Sequence, residues 1–254
     1  MFICNAYWMI AAGKQAEAEA ALAGLAREVD AKEPNTWMYL VHVPDREVSS
    51  FPPQGEGAVT FIEVYRDYQA FVEHVTGPVF NGFVAANGAL FLNMYGPSLP
   101  FMMSESLDPA AIFLRPEAVA PTLYTVIARW AIKPGSEREA KAALIAYVHE
   151  VQEGEPGTLL YSANTPAREH GAQSFLPVSS HELVYNSGWK DQQAFVDHAK
   201  GPIYQRFLAD HGHLFLQVNG ADTSNQPYLT SIVLRRISGF IRPQMFTGAL
   251  KPRV

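Results

Sequence analysis

Charged residues are scarce in this chain: they make up 17% of its 254 residues, against roughly 25% in an average soluble domain. Lysine and arginine form no cluster and the formal net charge is −6, so neither nucleic acid nor a membrane is an expected partner. No run approaches the roughly 18 uninterrupted apolar residues that a membrane-spanning helix needs. The single cysteine, Cys4, rules out an internal disulfide, and the N-terminal residues lack the basic and apolar regions of a signal peptide. We therefore expect a cytoplasmic location.

The sequence contains an internal repeat. At a shift of 122 positions Trp8 falls on Trp130, and the matches continue through Gly13, Glu17, Leu22, Glu33-Pro34, Thr36 and Tyr39. After a loop that differs by two residues the shift becomes 124, and Asp67, Phe71, His74 and Gly77-Pro78 fall on Asp191, Phe195, His198 and Gly201-Pro202. A register kept over this length predicts two copies of one domain. We place the first copy at residues 1–114, a linker at 115–122, the second copy at 123–242 and a C-terminal tail at 243–254.

The second copy shows the order of elements most clearly. β-Branched and aromatic residues predict a strand at 124–132, and apolar residues at helical spacing predict a helix at 136–152. Further strands are predicted at 158–163, 181–189, 215–218 and 227–234. Asp191 is suited to cap a second helix that breaks near Gly201-Pro202. Two helices with an antiparallel sheet in this order predict an α+β, ferredoxin-like unit.

Three segments of the second copy carry a family resemblance: VIARWAIKPG, EPGTLLY and WKDQQAFVDHAKGPIYQRF. The first copy has the counterparts EPNTWMYL and EVYRDYQAFVEHVTGPVFNGF. In this order and spacing they resemble the antibiotic biosynthesis monooxygenase (ABM) domain of the dimeric α+β barrel superfamily. Members pair two domains, sheet against sheet, so the resemblance implies an intramolecular pseudo-dimer that forms one barrel. A homodimer of whole chains stays open.

Relatives of this kind include oxygenases of polycyclic phenols and quinol monooxygenases that use no flavin, haem or metal. An electron-rich phenolate can itself pass an electron to dioxygen, so the protein needs an apolar pocket, a few hydrogen-bonding groups and a base. The resemblance therefore implies a monooxygenase that needs no cofactor, with a small aromatic phenol or quinol and dioxygen as its substrates. Two alternatives remain open: a non-catalytic small-molecule binding protein, and an isomerase or decarboxylase of a polyketide-like ring.

The candidate catalytic residues are His74, His198 and Glu63. The histidines occupy equivalent positions in a Phe-x-x-His-x-x-Gly-Pro motif, and the resemblance turns them toward the pocket; the alternative is a structural histidine that bonds a carbonyl at the helix end. Glu63 matches an acidic residue of the quinol-oxidising relatives, whereas the second copy has Ser187; its alternative is an ion pair at the surface. We expect the copies to have diverged. The first copy should hold the better proton acceptor, because a carboxylate beside His74 can fix its tautomer.

The candidate substrate-binding residues are Tyr65, Trp189, Tyr185 and Phe195. Trp189 matches a tryptophan that lines the pocket of the phenol oxygenases, and Tyr65 takes its place in the first copy. Tyr185 stands where those enzymes have an asparagine, and the adjacent asparagine of this chain should point to the opposite face of the strand. Phe195 replaces a tyrosine and so lacks one hydroxyl donor.

No metal or haem is expected. His211-Gly212-His213 would place two imidazoles on one face of a strand, but no carboxylate or cysteine completes a ligand set. Haem-degrading relatives carry an asparagine and an iron-binding histidine where this chain has Ala128 and Leu208. Further residues are expected to serve packing or to support loops: Trp8, Arg129, Trp130, Arg46 and Arg168.

Overall fold

The structure, a computed structural model, describes residues 1–92, 103–167, 181–216 and 228–246. The strands are β1 (Phe2–Met9), β2 (Thr36–Pro44), β3 (Ala58–Tyr65), β4 (Met103–Leu114), β5 (Tyr124–Ala131), β6 (Thr158–Pro166), β7 (Glu182–Trp189) and β8 (Tyr228–Ile241). The α-helices are α1 (Gln15–Lys32), α2 (Tyr68–Thr76), α3 (Pro78–Asn87), α4 (Glu137–Gly154), α5 (Gln192–Lys200) and α6 (Pro202–His211). No helix within these ranges combines the length and apolar character needed to cross a membrane.

The eight strands form one closed antiparallel barrel in the order β1-β3-β2-β8-β5-β7-β6-β4. The first copy contributes β4-β1-β3-β2 and the second contributes the equivalent order β8-β5-β7-β6, which is that of a ferredoxin-like sheet. The sheets join where β2 pairs with β8 and where β4 pairs with β6. The predicted α+β class and the pseudo-dimer within one chain are confirmed.

The alternation of side chains along the strands produces two kinds of core. Ile3 and Ile62 of the first copy meet Ile127 and Val184 of the second in an apolar cluster inside the barrel. Side chains at the alternate positions, among them Trp8, pack under the helices of their own copy. The candidate catalytic side chains belong to the second kind, between sheet and helices.

A polar network crosses the barrel interior and joins the two copies. The amides of Asn5 and Asn186 donate to each other at 2.9 Å, so the asparagine beside Tyr185 points inward as predicted. The carboxylate of Glu105 accepts two bonds of 2.6 Å from the Nη2 group of Arg129 and one of 2.6 Å from the hydroxyl of Tyr7. Arg129 therefore has a specific partner in the other copy, beyond its expected packing role.

Two arginines connect the copies a second time at equivalent positions. Arg115 follows β4, and its Nε donates to the carbonyl oxygen of Thr158 in the second copy at 2.9 Å. Arg242 follows β8, and its Nε donates to the carbonyl oxygen of Thr36 in the first copy at 2.8 Å. Because each arginine holds the first residue of a strand in the other copy, the last strand of each copy is tied to its neighbour.

The structure corrects three expectations about elements. The final strand is one long element, β8, rather than two; Phe215 forms only an isolated bridge with Ile132, and residues 217–218 lie outside the described ranges. The second helix of each copy is two helices, because the Gly-Pro pair starts a new one. The strand predicted at 158–163 is longer, since β6 continues to Pro166, and residues 168–180 also lie outside the described ranges.

His42 lies on β2 and is completely buried. Burial, with the charge of Arg236 adding to it, lowers the pKa of His42 from 6.5 to about 3. Between pH 6.5 and pH 3 the imidazole is therefore protonated in the unfolded chain but neutral in the folded chain. The free energy of unfolding should fall as the pH drops through this range. Between pH 7.5 and pH 5 the free energy of unfolding of the wild type should fall by about 2 kcal/mol more than that of the His42→Leu variant, which lacks the imidazole. Urea unfolding of both proteins at the two pH values measures this; equal pH dependence would contradict it.

Candidate functional site

His74 and His198 lie near the C-terminal ends of two short helices, α2 and α5. An aspartate caps the start of each helix, and its carboxylate accepts a backbone N–H three residues later at 2.9 Å. Gly77 and Gly201 end the helices by donating their N–H groups to the carbonyl oxygens of the histidines, at 3.2 and 3.1 Å. A Cβ on either glycine would collide with the carbonyl oxygen four residues earlier, so the motif requires glycine there. The motif thus fixes the helix end beside the histidine.

Each histidine is bonded to a glutamate at the end of the preceding long helix. Nδ1 of His74 lies 2.7 Å from Oε2 of Glu33, and Nδ1 of His198 lies 2.6 Å from Oε2 of Glu155. A threonine three residues after each glutamate donates its hydroxyl to the same carboxylate, at 3.3 and 3.0 Å. Sequence reasoning missed these glutamates, although the matched Glu-Pro-x-Thr of the two copies was a signal for them. In the neutral imidazole, a carboxylate acceptor at Nδ1 places the proton on that nitrogen and leaves Nε2 as the acceptor.

Glu63 has a different partner from the expected one. Its Oε2 accepts the hydroxyl of Tyr65 at 2.8 Å on the outer face of β3. Burial raises the pKa of Glu63, while the charge of His74 and the bond from Tyr65 oppose that rise. The expectation that only the first histidine has a carboxylate partner is wrong, because the partner comes from a helix end that both copies possess.

Four aromatic side chains surround the ring of His198. The ring centroids of Tyr161, Trp189, Tyr204 and Tyr147 lie 5.3, 5.5, 5.7 and 6.2 Å from it. Nε2 of His198 is 3.3 Å from the hydroxyl of Tyr147 and 3.5 Å from that of Tyr161. In the neutral tautomer with its proton on Nδ1, Nε2 accepts, and both hydroxyls then face a base. The two tyrosines appeared in the sequence only as apolar strand and helix positions.

Tyr185 and Trp189 lie on the outer face of β7, on the same side of the sheet as His198. Both side chains are buried, and burial raises the pKa of the Tyr185 hydroxyl well above its ordinary value, so this group is a donor. Neither that hydroxyl nor the indole N–H of Trp189 has a hydrogen-bond partner among the residues that the structure describes. Phe195 packs edge-on against Trp189 with ring centroids 4.8 Å apart. Trp189 thus lies against the ring of His198 and Phe195 packs on Trp189, whereas Tyr185 contacts the ring of Tyr161 at a centroid distance of 5.7 Å.

The first copy surrounds His74 with a different set of side chains. Tyr39 and Tyr65 place their ring centroids 5.5 and 5.6 Å from the imidazole, and Phe61 occupies the position equivalent to Tyr185. Cys4 is buried in the same cluster, and burial, with the charge of Glu63 adding to it, raises the pKa of its thiol. Such a thiol is a poor nucleophile.

Both clusters contain an aromatic ring from the other copy. Phe113 of β4 stacks on Tyr161 with centroids 6.3 Å apart, and Phe240 of β8 stacks on Tyr39 with centroids 6.4 Å apart. Each histidine site is therefore completed by the last strand of the opposite copy, which explains why the pseudo-dimer matters for the site.

The predicted strand with two histidines is not a strand. His211 ends α6 and packs on Phe207, while His213 lies in the following 3-10 turn at residues 212–214, so the imidazoles do not share a strand face. The described residues hold no group of three His, Cys, Asp or Glu side chains placed to bind a metal ion. Arg46 bonds the carbonyl oxygen of Glu56 in its own loop, as a loop support should. Arg168 lies outside the described residues.

Comparison with known proteins agrees with these features. The family model described as antibiotic biosynthesis monooxygenase matches residues 1–86 and 123–210, once in each copy. No curated protein matches the chain.

Solved structures share the whole architecture. A candidate monooxygenase from Fusobacterium nucleatum is 15% identical, with 93% of each chain covered and a TM-score of 0.69. A candidate monooxygenase from Lactobacillus acidophilus is 14% identical, with 95% of this chain and 96% of that one covered and a TM-score of 0.69. An anthrone oxidase-like protein is 14% identical over 95% of both chains, with a TM-score of 0.52. At these identities the structures show a common fold. Because the family model covers more than half of the chain, in both copies, the protein belongs to the antibiotic biosynthesis monooxygenase family.

Proposed function

We propose that this chain is a monooxygenase that needs no cofactor and oxidises an aromatic phenol or quinol with dioxygen. The observation that carries the proposal is the buried His198–Glu155 pair, whose imidazole ring lies 5.5 Å from that of Trp189 and contacts the hydroxyls of Tyr147 and Tyr161. A base, aromatic walls and hydrogen-bond donors are what the chemistry requires. Family membership supports a monooxygenase-type role.

The first step is loss of the phenolic proton of the substrate. Glu155 accepts a hydrogen bond from the Nδ1–H group of His198, so the lone pair of Nε2 can accept a proton from the substrate. The hydroxyls of Tyr147 and Tyr161 stand at hydrogen-bond distance from this nitrogen. Either hydroxyl can pass its own proton to Nε2 while it takes the one from the substrate. The imidazole can therefore deprotonate a substrate that it does not touch.

The second step is oxidation of the resulting anion. The phenolate passes one electron to dioxygen, and the carbon radical and superoxide combine to give a peroxide anion at the ring carbon. Protonation by the imidazolium and loss of water leave a carbonyl, so one oxygen atom of dioxygen enters the product and the other leaves as water. The buried position of His198 and Trp189 keeps bulk water from the radical pair.

Oxygen uptake by the full chain tests this function. Anthrone and naphthalene quinols are suitable substrates, with a matched reaction without protein to correct for autoxidation. Under ¹⁸O₂ we expect consumption of one dioxygen and one labelled oxygen atom in each product molecule, unchanged after treatment with a chelator. Binding without oxygen uptake would indicate a binding protein. Conversion without oxygen uptake would indicate an isomerase or decarboxylase.

A further inference from the structure

We infer that the second copy has a separate binding cleft, beside the turn that follows α6, for a small carboxylic acid with an apolar body. The cleft has a volume of about 660 Å³, within the roughly 300–1,000 Å³ of small-molecule sites. Its described lining shares no residue with the cluster around His198. The inference therefore goes beyond the proposed function and does not depend on it.

The wall and the floor of the cleft are apolar. Leu208 and Ala209 line it from α6, three and four residues after Gln205, so all three lie on one face of that helix. Phe215 forms the buried floor, and its ring centroid lies 5.1 Å from that of Trp130. An apolar wall of this kind favours the hydrocarbon part of a ligand, because water leaves both surfaces.

Two basic side chains line the same cleft. Lys133 follows β5, and its Nζ group donates to the carbonyl oxygen of His213 at 2.6 Å. This bond uses one of its three N–H groups and holds the ammonium at the cleft, so the others can donate to a ligand. The imidazole of His213, in the turn at residues 212–214, supplies a further donor. Among the described residues that line the cleft none is acidic, so a carboxylate fits this end of it.

Backbone hydrogen bonds fix the turn that contributes to the cleft. The N–H group of Lys133 donates to the carbonyl oxygen of Leu214 at 2.9 Å, and that of Leu216 donates to the carbonyl oxygen of Ala131 at 2.8 Å. The turn is therefore paired with the end of β5, and the cleft is formed before a ligand binds. A preformed site loses less conformational entropy on binding than one that must first be ordered.

The first copy lacks both basic residues. Ala11 stands in place of Lys133 and Ala89 in place of His213, whereas the phenylalanine of the floor is retained as Phe91. The fold therefore forms without the two basic side chains, which are specific to the second copy. We expect the acid to bind to the second copy and not at the equivalent position of the first.

An NMR titration of the ¹⁵N-labelled full chain with 2-naphthylacetate tests the inference. We expect a Kd of about 1 mM or lower, with the amide shifts concentrated in residues 205–215 and none in residues 81–91. The uncharged analogue 2-naphthylacetamide has the same shape, and inorganic phosphate has the charge without the apolar body. Each should bind at least roughly 5-fold more weakly than the acid, because each loses one of the two contacts.

Lys133→Met should raise the Kd of the acid roughly 10-fold, the lower end for a hydrogen bond to a charged group, because this ammonium is exposed. His213→Ala, which introduces the residue of the first copy, should raise it roughly 2- to 5-fold. Lys141→Met is the matched control, since it removes an exposed lysine of α4 that does not line the cleft, and it should change the Kd less than twofold.

Thermal melts of each variant separate lost contacts from lost folding. Equal binding of the acid and its amide, equal losses with Lys133→Met and Lys141→Met, shifts concentrated around His198, or no binding by the wild type would overturn the inference. No turnover is measured, so a chain that binds the acid in this cleft but consumes no oxygen keeps the cleft and loses only the proposed function.

Discussion

Replacing His198 by alanine is expected to lower kcat/KM for the phenolic substrate by about 10²- to 10⁴-fold, the range for a general base. The reason is the position of Nε2, which faces the hydroxyls of Tyr147 and Tyr161 while Nδ1 is held by Glu155. Without the imidazole, a proton leaving the substrate has no acceptor in that cluster. Oxygen uptake at saturating dioxygen, measured over a range of substrate concentrations, gives the value.

The matched variant is His74→Ala, for which we expect less than about a tenfold loss. His74 has the same kind of glutamate partner, at 2.7 Å, so a purely structural role for the pair would affect both variants alike. Circular dichroism and thermal melts show whether either variant fails to fold. His198→Gln keeps a polar side chain at the site and replaces the alanine variant if that one unfolds. Equal losses of activity in two folded variants would contradict the assignment of the reaction to the second copy.

The fold could be predicted because the repeat is local and regular. Matched residues from Trp8 to Gly77-Pro78 predicted two equivalent units, and strand alternation placed Tyr185 and Asn186 on opposite faces correctly. The motif around His74 was also readable, because a capping aspartate and a Gly-Pro pair act within a few residues of each other. Features of this kind need no knowledge of tertiary contacts.

The partners of the site residues were not predictable in the same way. Glu33 is 41 residues from His74, and Glu155 is 43 residues from His198, so two strands and the start of a helix intervene in the sequence. From the sequence, Glu63 was the expected carboxylate partner of His74, because it lies on a strand next to the candidate pocket. In the structure the carboxylate comes instead from Glu33, the residue that follows the long helix α1. The pairing depends on how helix packs on sheet, which local patterns do not specify.

The hydrogen bonds between the two copies inside the barrel could not be predicted for a related reason. Asn5 and Asn186 are 181 residues apart, and only closure of the barrel brings their amides together. The equivalent residues Ile127 and Ile62 are apolar, so the network breaks the symmetry of the repeat. The first copy should therefore pair with the second copy rather than with another first copy. Two identical copies would leave the buried amide of Asn5 or Asn186 without its hydrogen-bond partner.

Arg129→Met is expected to lower the free energy of unfolding by about 3–5 kcal/mol, the usual cost of leaving one partner of a buried ion pair uncompensated. Glu105 is fully buried, and the side chain of Arg129 is only 15% exposed. The substitution removes both 2.6 Å bonds from the guanidinium, so that Tyr7 and Asn5 are the donors left to the carboxylate among the described residues. Urea unfolding at neutral pH, followed by circular dichroism, measures the loss.

Two further variants separate the cost of leaving a buried charge without its partner from the general cost of replacing an arginine. Arg206 and Glu150 form an ion pair of the same 2.6 Å length, but their side chains are 55% and 47% exposed. Arg206→Met should therefore cost less than about 1 kcal/mol, because solvent screens the pair. The double variant Glu105→Gln/Arg129→Met should recover much of the loss of the single variant, since no buried charge is left over. If Arg129→Met costs no more than Arg206→Met, the interior pair does not hold the two copies together, and the burial of Glu105 must be compensated by Asn5 and Tyr7 alone.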